Sequence, residues 1–285
     1  MRNLLFVALI ACVAFAQQTI WDGAVDTTWF DGGKTTFEIS TAQQLAGLAV
    51  LVDNGNDFKG KSVKLTADIW LNDTADFQNW EKNAPKNQWV QIGVYNVMIP
   101  RAMCKGFAGN FDGNAKTIFG MYINAEGNKM KSAALFGYLG AEAVVTNLNV
   151  TSFYVSNDGI LTAPVAGANL GKIQNCEVNG GTANGGLWVG GLTGSTEEGQ
   201  ILDNKVRANV IGMKIVGGIS GEINIATLTG NYFEGNVQGN RETGNLVGRV
   251  GGATTIIKNN KAKPVNTQLS SFGNVKGNTK KAEIQ

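Results

Sequence analysis

The chain contains no histidine, which removes Ser-His-Asp and Cys-His nucleophilic systems and histidine-liganded metals. Carboxylate chemistry remains, in which clustered acidic groups on one face divide the acid and base roles. Its candidates are few. Glu177 stands beside Lys205 in the outward column of a repeat, where a cross-strand charge pair on a solvated face is the simpler reading. Glu197-Glu198 falls in a variable turn. Asp53-Asn54-Gly55-Asn56-Asp57 has the composition of a calcium loop, but it lacks the Asp-x-Asp-x-Asp-Gly spacing and a following glutamate. It reads as a turn ending a helix, and no metal or cofactor site is expected. Aromatic residues give the one binding signal. Trp70, Trp80, Trp89 and Tyr95 surround a polar excursion at residues 72 to 88, and exposed rings stack on the apolar faces of sugars. Trp80, set among Gln78, Asn79, Glu81 and Lys82, is expected to contact ligand together with Tyr95. Trp89 is assigned to packing.

The elements that must position these residues are announced by a repeat. VTNLNV (145 to 150), IQNCEV (173 to 178), ILDNKV (201 to 206), LTGNYF (228 to 233) and IKNNKA (257 to 262) recur at spacings of 28, 28, 27 and 29 residues. A Gly-containing marker precedes each: GYLG (137 to 140), GANLG (167 to 171), GLTG (191 to 194), GISG (218 to 221) and NLVG (245 to 248). So short a unit cannot bury a core alone, so copies must stack. Val, Ile and Asn punctuated by Gly, with no helical apolar spacing, make each copy one turn of a parallel β-helix. Neighbours in a column then lie about 4.8 Å apart. Strand alternation points Leu148, Cys176, Asn204, Asn231 and Asn260 inward and Asn149, Glu177, Lys205, Tyr232 and Lys261 outward. Three successive interior asparagines imply an amide ladder that satisfies its own polar groups.

Residues 1–16 have a charged start, an apolar run and Ala14-Phe15-Ala16 before Gln17, the pattern of a secretory leader. Leu9-Ile10-Ala11-Cys12 offers a competing lipid anchor at Cys12, although the apolar run continues beyond it. Residues 17–131 are expected to form a capping region and the first coils. Thr41 with Gln44 makes a capping-box pattern, and Leu45, Leu48, Ala49 and Val52 share one face of a helix ending at Gly55. That helix should cover the open strand edge of the solenoid. Val63, Leu65, Ala67, Ile69 and Leu71 alternate as a strand, WVQIGV (89 to 94) reads as another, and Asp112-Gly113 is a turn. About five coils are expected from 132 to 263, within a repeat region 132–265, followed by a polar basic tail, 266–285. The other two cysteines, Cys104 and Cys176, read as free thiols. With 24 basic against 22 acidic residues, nucleic acid is not an expected partner.

The chain resembles bacterial secreted and cell-surface proteins carrying the GLUG motif. The resemblance is carried by Gly191-Leu192-Thr193-Gly194 and Gly218-Ile219-Ser220-Gly221, each followed by an Asn-containing strand, and by the lead-in FEISTAQQLAGLAVLV, VKLTADIWL, WVQIG and FAGNFDGNAKTIFGMYI. It covers most of residues 37 to 262. It implies an all-β fold, a right-handed parallel β-helix with one short N-terminal capping helix, on an exported protein. Some members of that family flank an immunoglobulin-A-cleaving metallopeptidase, whose His-Glu-x-x-His motif a chain without histidine cannot contain. The expected role is therefore non-catalytic: adhesion, carbohydrate contact or envelope architecture, with a glycan or an extracellular protein as partner. A polysaccharide lyase or glycoside hydrolase and a purely structural spacer are the alternatives.

Overall fold

The computed structural model describes residues 18–285 except 126, 128, 129, 131, 266, 277–282 and 285. The expected leader and Cys12 lie outside the described residues. The fold is a parallel β-helix built of three sheets. The first is nine-stranded, beginning with Thr36–Ile39, Ser62–Leu65 and Asn110–Asp112 and ending with Ile256–Lys258 and Glu283–Ile284. The second, also nine-stranded, carries the longest strands: Asn149–Thr162, Glu177–Gly190 and Lys205–Gly217. The third has six, among them Ala166–Asn169, Thr193–Glu197, Ser220–Asn224 and Val247–Gly251. Rung-to-rung pairing runs in the register of the repeat: Val150, Val178, Val206, Phe233 and Ala262 are successive partners.

Left-handed residues turn the corners. Asn147, Asn175, Asp203, Gly230 and Asn259 have φ from 52° to 72° and lie between the first and second sheets. Asn, Asp and Gly tolerate that region best, which accounts for the Asn, Asp or Gly at the third position of each copy. Leu161, Trp188, Ile215 and Glu242 turn the next corner with φ from 45° to 58°. Glu198, Ile225 and Gly252 turn the third.

The interior column is as expected, and its asparagines bond along the stack. Asn204 donates from both its backbone N–H and Nδ2 to Asn231 Oδ1 at 2.9 Å, and Asn231 does the same to Asn260 Oδ1. The Cys176 backbone N–H donates to Asn204 Oδ1 at 2.9 Å. A second buried polar strip, not anticipated, lies in the third sheet, where Thr193 Oγ1 donates to Ser220 Oγ at 2.9 Å. Outward, Glu177 is opposite Lys205 in register but pairs with Arg207 Nη1 at 2.8 Å. Arg207 also reaches Glu234 at 3.2 Å, and Lys263 Nζ lies 2.8 Å from the same carboxylate. Cys104 and Cys176 are free, and burial pushes the Cys176 thiol up to about 12.

The capping helix α1 spans Ala42–Asp53. The Thr41 hydroxyl accepts from the Gln44 N–H at 3.2 Å, while Gln44 Oε1 accepts from the Ser40 N–H at 2.8 Å. Leu45, Leu48, Ala49 and Val52 are buried in the common core. The helix thus occupies, between two strands of the first sheet, the place that strands of the other sheets take in later rungs. Gly55, at φ 95°, ends the helix within the Asp53–Asp57 turn.

Three details of the lead-in and tail differ from expectation. The alternating run at 63 to 71 is two strands, Ser62–Leu65 in the first sheet and Ile69–Trp70 in the second, because the chain turns a corner between them. Its inward residues Val63, Leu65, Ile69 and Leu71 stay buried on both sides of that corner. The 89–94 segment makes isolated bridges at Ile92 and Val94 instead of a strand. The tail contributes Phe272–Val275 and Glu283–Ile284 to the stack. Among the described residues no helix is long and apolar enough to cross a membrane.

Candidate ligand-contact surfaces

The excursion at 72 to 88 is pinned at its base by two asparagines. Asn72 Nδ2 donates to Asn87 O at 2.8 Å and to Gly120 O at 2.9 Å, and its Oδ1 accepts from the Asn87 N–H at 2.9 Å. Asn87 Nδ2 in turn donates to Leu71 O at 2.9 Å and to Trp21 O at 2.6 Å. Both side chains are buried. Neither belongs to the repeat, so only the geometry of the closed excursion reveals them.

Trp80 is not exposed, contrary to expectation: 3% of it is accessible. Its ring meets Tyr122 edge-on, with centroids 6.0 Å apart at 88°, and Tyr122 stacks on Tyr154 at 5.8 Å. The reason is tertiary. The excursion folds back over the second sheet, so a tryptophan with polar sequence neighbours finds its apolar surroundings on strands 40 and more residues away. Trp70 also packs, stacked on its rung partner Phe119 at 3.8 Å. Trp89 is buried, as assigned.

Trp80 anchors the wall of a groove of about 540 Å³ on the outer face of the second sheet. Phe77, Gln78 and Glu81 form its excursion side; Tyr154, Thr182, Asn184, Asn209 and Ile211 form its floor over three successive rungs. Burial pushes the Tyr154 phenol up, against the opposing effect of hydrogen bonds with Ser156 and Asn184, so it stays neutral and able to donate at neutral pH. The floor is rich in hydroxyl and amide groups, and Glu81 is the one charged residue in the lining.

Tyr95 is half-buried and belongs elsewhere. It meets Tyr138 edge-on at 5.4 Å and lines a cleft of about 150 Å³ on the outer face of the third sheet, with Leu161, Leu170, Trp188, Ser195, Glu197 and Glu222. The two candidate ligand residues are therefore not brought together. Arg101, which opens the short 3-10 helix Arg101–Met103, pairs with Glu197. Burial works against the Arg101 charge, but Glu197 and Tyr95 outweigh it and hold the guanidinium above its ordinary value. Burial likewise raises the Tyr138 phenol, with Arg101 opposing. The Trp188 Nε1–H is buried without an acceptor, so packing alone holds that ring. Among the described residues no cluster of three or more acidic or cysteine side chains could hold a metal ion.

No protein-family profile matches the chain. A protein of Evansella cellulosilytica provisionally named as a Gly-rich membrane protein is 30% identical over 186 residues, which are 62% of this chain and 19% of that one. Halomucin of Haloquadratum walsbyi is 28% identical over 181 residues, 64% of this chain and 2% of its own length. The chain therefore spans a small part of either relative. A solved chain from Bacteroides ovatus, provisionally named as an immunoglobulin A1 protease, has 17% identity and a TM-score of 0.48, covering 83% of this chain and 69% of that one.

The marker glycines have a packing role. Gly137, Gly167, Gly194, Gly221, Gly248 and Gly273 share one register in the third sheet. A Cβ at Gly194 would lie 2.8 Å from Leu161 Cα, at Gly221 2.7 Å from the Val189 nitrogen, and at Gly248 2.5 Å from the Val216 nitrogen. Each such glycine lets the third sheet close onto the end of the long strand one rung earlier. The register corrects the marker alignment. Gly137 matches Gly194, not Gly191, so the first copy is Ala134-Leu135-Phe136-Gly137, and Ser270-Ser271-Phe272-Gly273 is a sixth copy.

Proposed function

We propose that the protein is an exported, non-catalytic surface β-helix, similar to GLUG-motif proteins, whose groove beside the 72–88 excursion holds an uncharged glycan strand. The observation that carries this reading is the groove's composition. Hydroxyl and amide groups from Thr182 and Asn184 on one rung and Asn209 on the next lie beside Tyr154 in the floor, beneath an edge formed by Phe77. Such groups exchange hydrogen bonds with sugar hydroxyls while the rings cover apolar sugar faces. A single lining carboxylate, Glu81, does not supply the two that glycoside hydrolysis uses. The names of the membrane-protein and halomucin relatives support a surface location. Glycan contact on an exported chain makes adhesion the proposed role.

Glycan-array binding of the mature chain, followed by calorimetry on the best neutral oligosaccharide, tests the reading. Asn184→Ala should weaken binding by about tenfold, the effect of losing roughly one well-placed hydrogen bond in a desolvated site. Binding unchanged in Asn184→Ala and Thr182→Val would reject the groove. Release of reducing or unsaturated sugar that disappears in Glu81→Gln would reject the non-catalytic assignment.

A further inference from the structure

The Tyr95 cleft has a chemistry distinct from the groove. Both charged residues in its lining are carboxylates, Glu197 and Glu222, which stand on adjacent rungs of the third sheet. The cations that pair with them stand outside the lining: Arg101 beside Glu197, and Arg249 and Lys276 at 3.4 and 3.8 Å from Glu222. Tyr95 and Trp188 supply aromatic surface, and Leu161 and Leu170 an apolar floor. Glu222 is largely buried, with 15% of its side chain accessible, and its two ion-pair contacts are long. A cation brought closer to that carboxylate than Arg249 and Lys276 stand would compete with them for it while the rings attract the same charge. We propose that this cleft binds an alkylammonium group, of the kind presented by a lysine side chain of a partner polypeptide. The methylene stem would lie on the leucines and the ammonium between the rings and Glu222. This inference does not depend on the glycan reading, because the two surfaces lie on different sheets and share no residue.

The test is NMR titration of the folded mature chain with Nα-acetyl-lysine N-methylamide, its Nζ-acetylated form and butylammonium. The lysyl probe should saturate shifts around Tyr95 and Trp188, and acetylation of its amine should weaken binding by about fivefold or more, as the loss of a charged contact implies. Glu222→Gln should weaken the lysyl probe by about fivefold, whereas Arg101→Gln should leave it equal or tighter by leaving Glu197 unpaired. If Glu222→Gln does not fold, as judged by circular dichroism, Glu197→Gln decides by the same criterion. Absent saturation, equal binding of the acetylated probe, or undiminished binding in the folded glutamine variant overturns the site. So does the reverse pattern, loss on Arg101→Gln with gain on Glu222→Gln, which marks an anionic ligand. Butylammonium binding as tightly as the lysyl probe overturns the polypeptide as the source of the amine.

Discussion

Asn231 sits in mid-ladder, accepting two hydrogen bonds from Asn204 and donating to Asn260 and to the carbonyls of Ile201 and Thr229. Asn231→Ala therefore orphans buried groups on both sides and should cost about 1–3 kcal/mol for each one left unsatisfied. Tyr232→Ser, on the outward column, should cost less, since it gives up a 3.2 Å hydrogen bond to Glu234 on a partly exposed face. Denaturation midpoints compare the two, and equal losses would contradict the ladder's role. Glu242 carries a pH dependence. Its hydrogen bonds from Arg249 hold the carboxyl below the usual carboxylate range, against an opposing effect of burial. Because the folded value is depressed, its stabilisation is complete above the unfolded value of about 4.3 and is lost as pH falls through the folded one. Glu242→Gln should thus flatten the acid limb of a stability–pH curve measured from pH 7 down to 3. At this scale the inward asparagines were legible because three copies fell in one register. Arg207 as the partner of Glu177 was not, because a long side chain chose a diagonal neighbour over the residue directly opposite. Nor was the burial of Trp80, whose packing partners Tyr122 and Tyr154 are remote in the chain.

Among the elements, the third-sheet glycine column is the most demanding. Gly221→Ala places a methyl group 2.7 Å from the Val189 nitrogen, a backbone atom that cannot yield without moving a rung. The expected loss is about 1–3 kcal/mol or more, the range of overpacking. Gly32→Ala meets nothing within 4 Å and should be nearly neutral in the same thermal melt. Thr41→Ala should lower stability by about 1 kcal/mol by removing the α1 cap. That helix could be read in advance because its cap, apolar face and stop are all local in sequence. The division of 63 to 71 into two strands could not, since inward alternation continues unbroken around the corner and no left-handed residue marks the bend. The first two markers were misaligned for a related reason. Glycine is frequent, with 38 in the chain, and a four-residue motif leaves several registers open that strand pairing resolves.

For the molecule as a whole, the period of the repeat predicted a stack, and the stack proves longer than the repeat. Strands of the first sheet begin at Thr36, and the final strand pairings reach into the segment expected to be a tail, so that irregular copies at both ends share the core with the regular ones. Their deviation from the pattern hid them: Phe111 fills interior space that Val145, Ile173 and Ile201 fill in later rungs, and Phe136 stands where Ala166, Thr193 and Ser220 follow. The continuous core also separates the thiols. Half-buried Cys104 should react with maleimide in the native chain, whereas Cys176, buried and held as the neutral thiol, should react only on unfolding, a difference that mass spectrometry of the labelled peptides reads directly. Parallel pairing has a mechanical consequence as well. The hydrogen bonds between rungs run along the long axis, so a pull between the two ends loads them rung after rung, not all together. Partners such as Thr193 and Ser220 are 27 residues apart, and each rung that peels away frees roughly 90 Å of extended chain. A stack pulled from its two ends should therefore lengthen in steps of about that size, which single-molecule force spectroscopy reads.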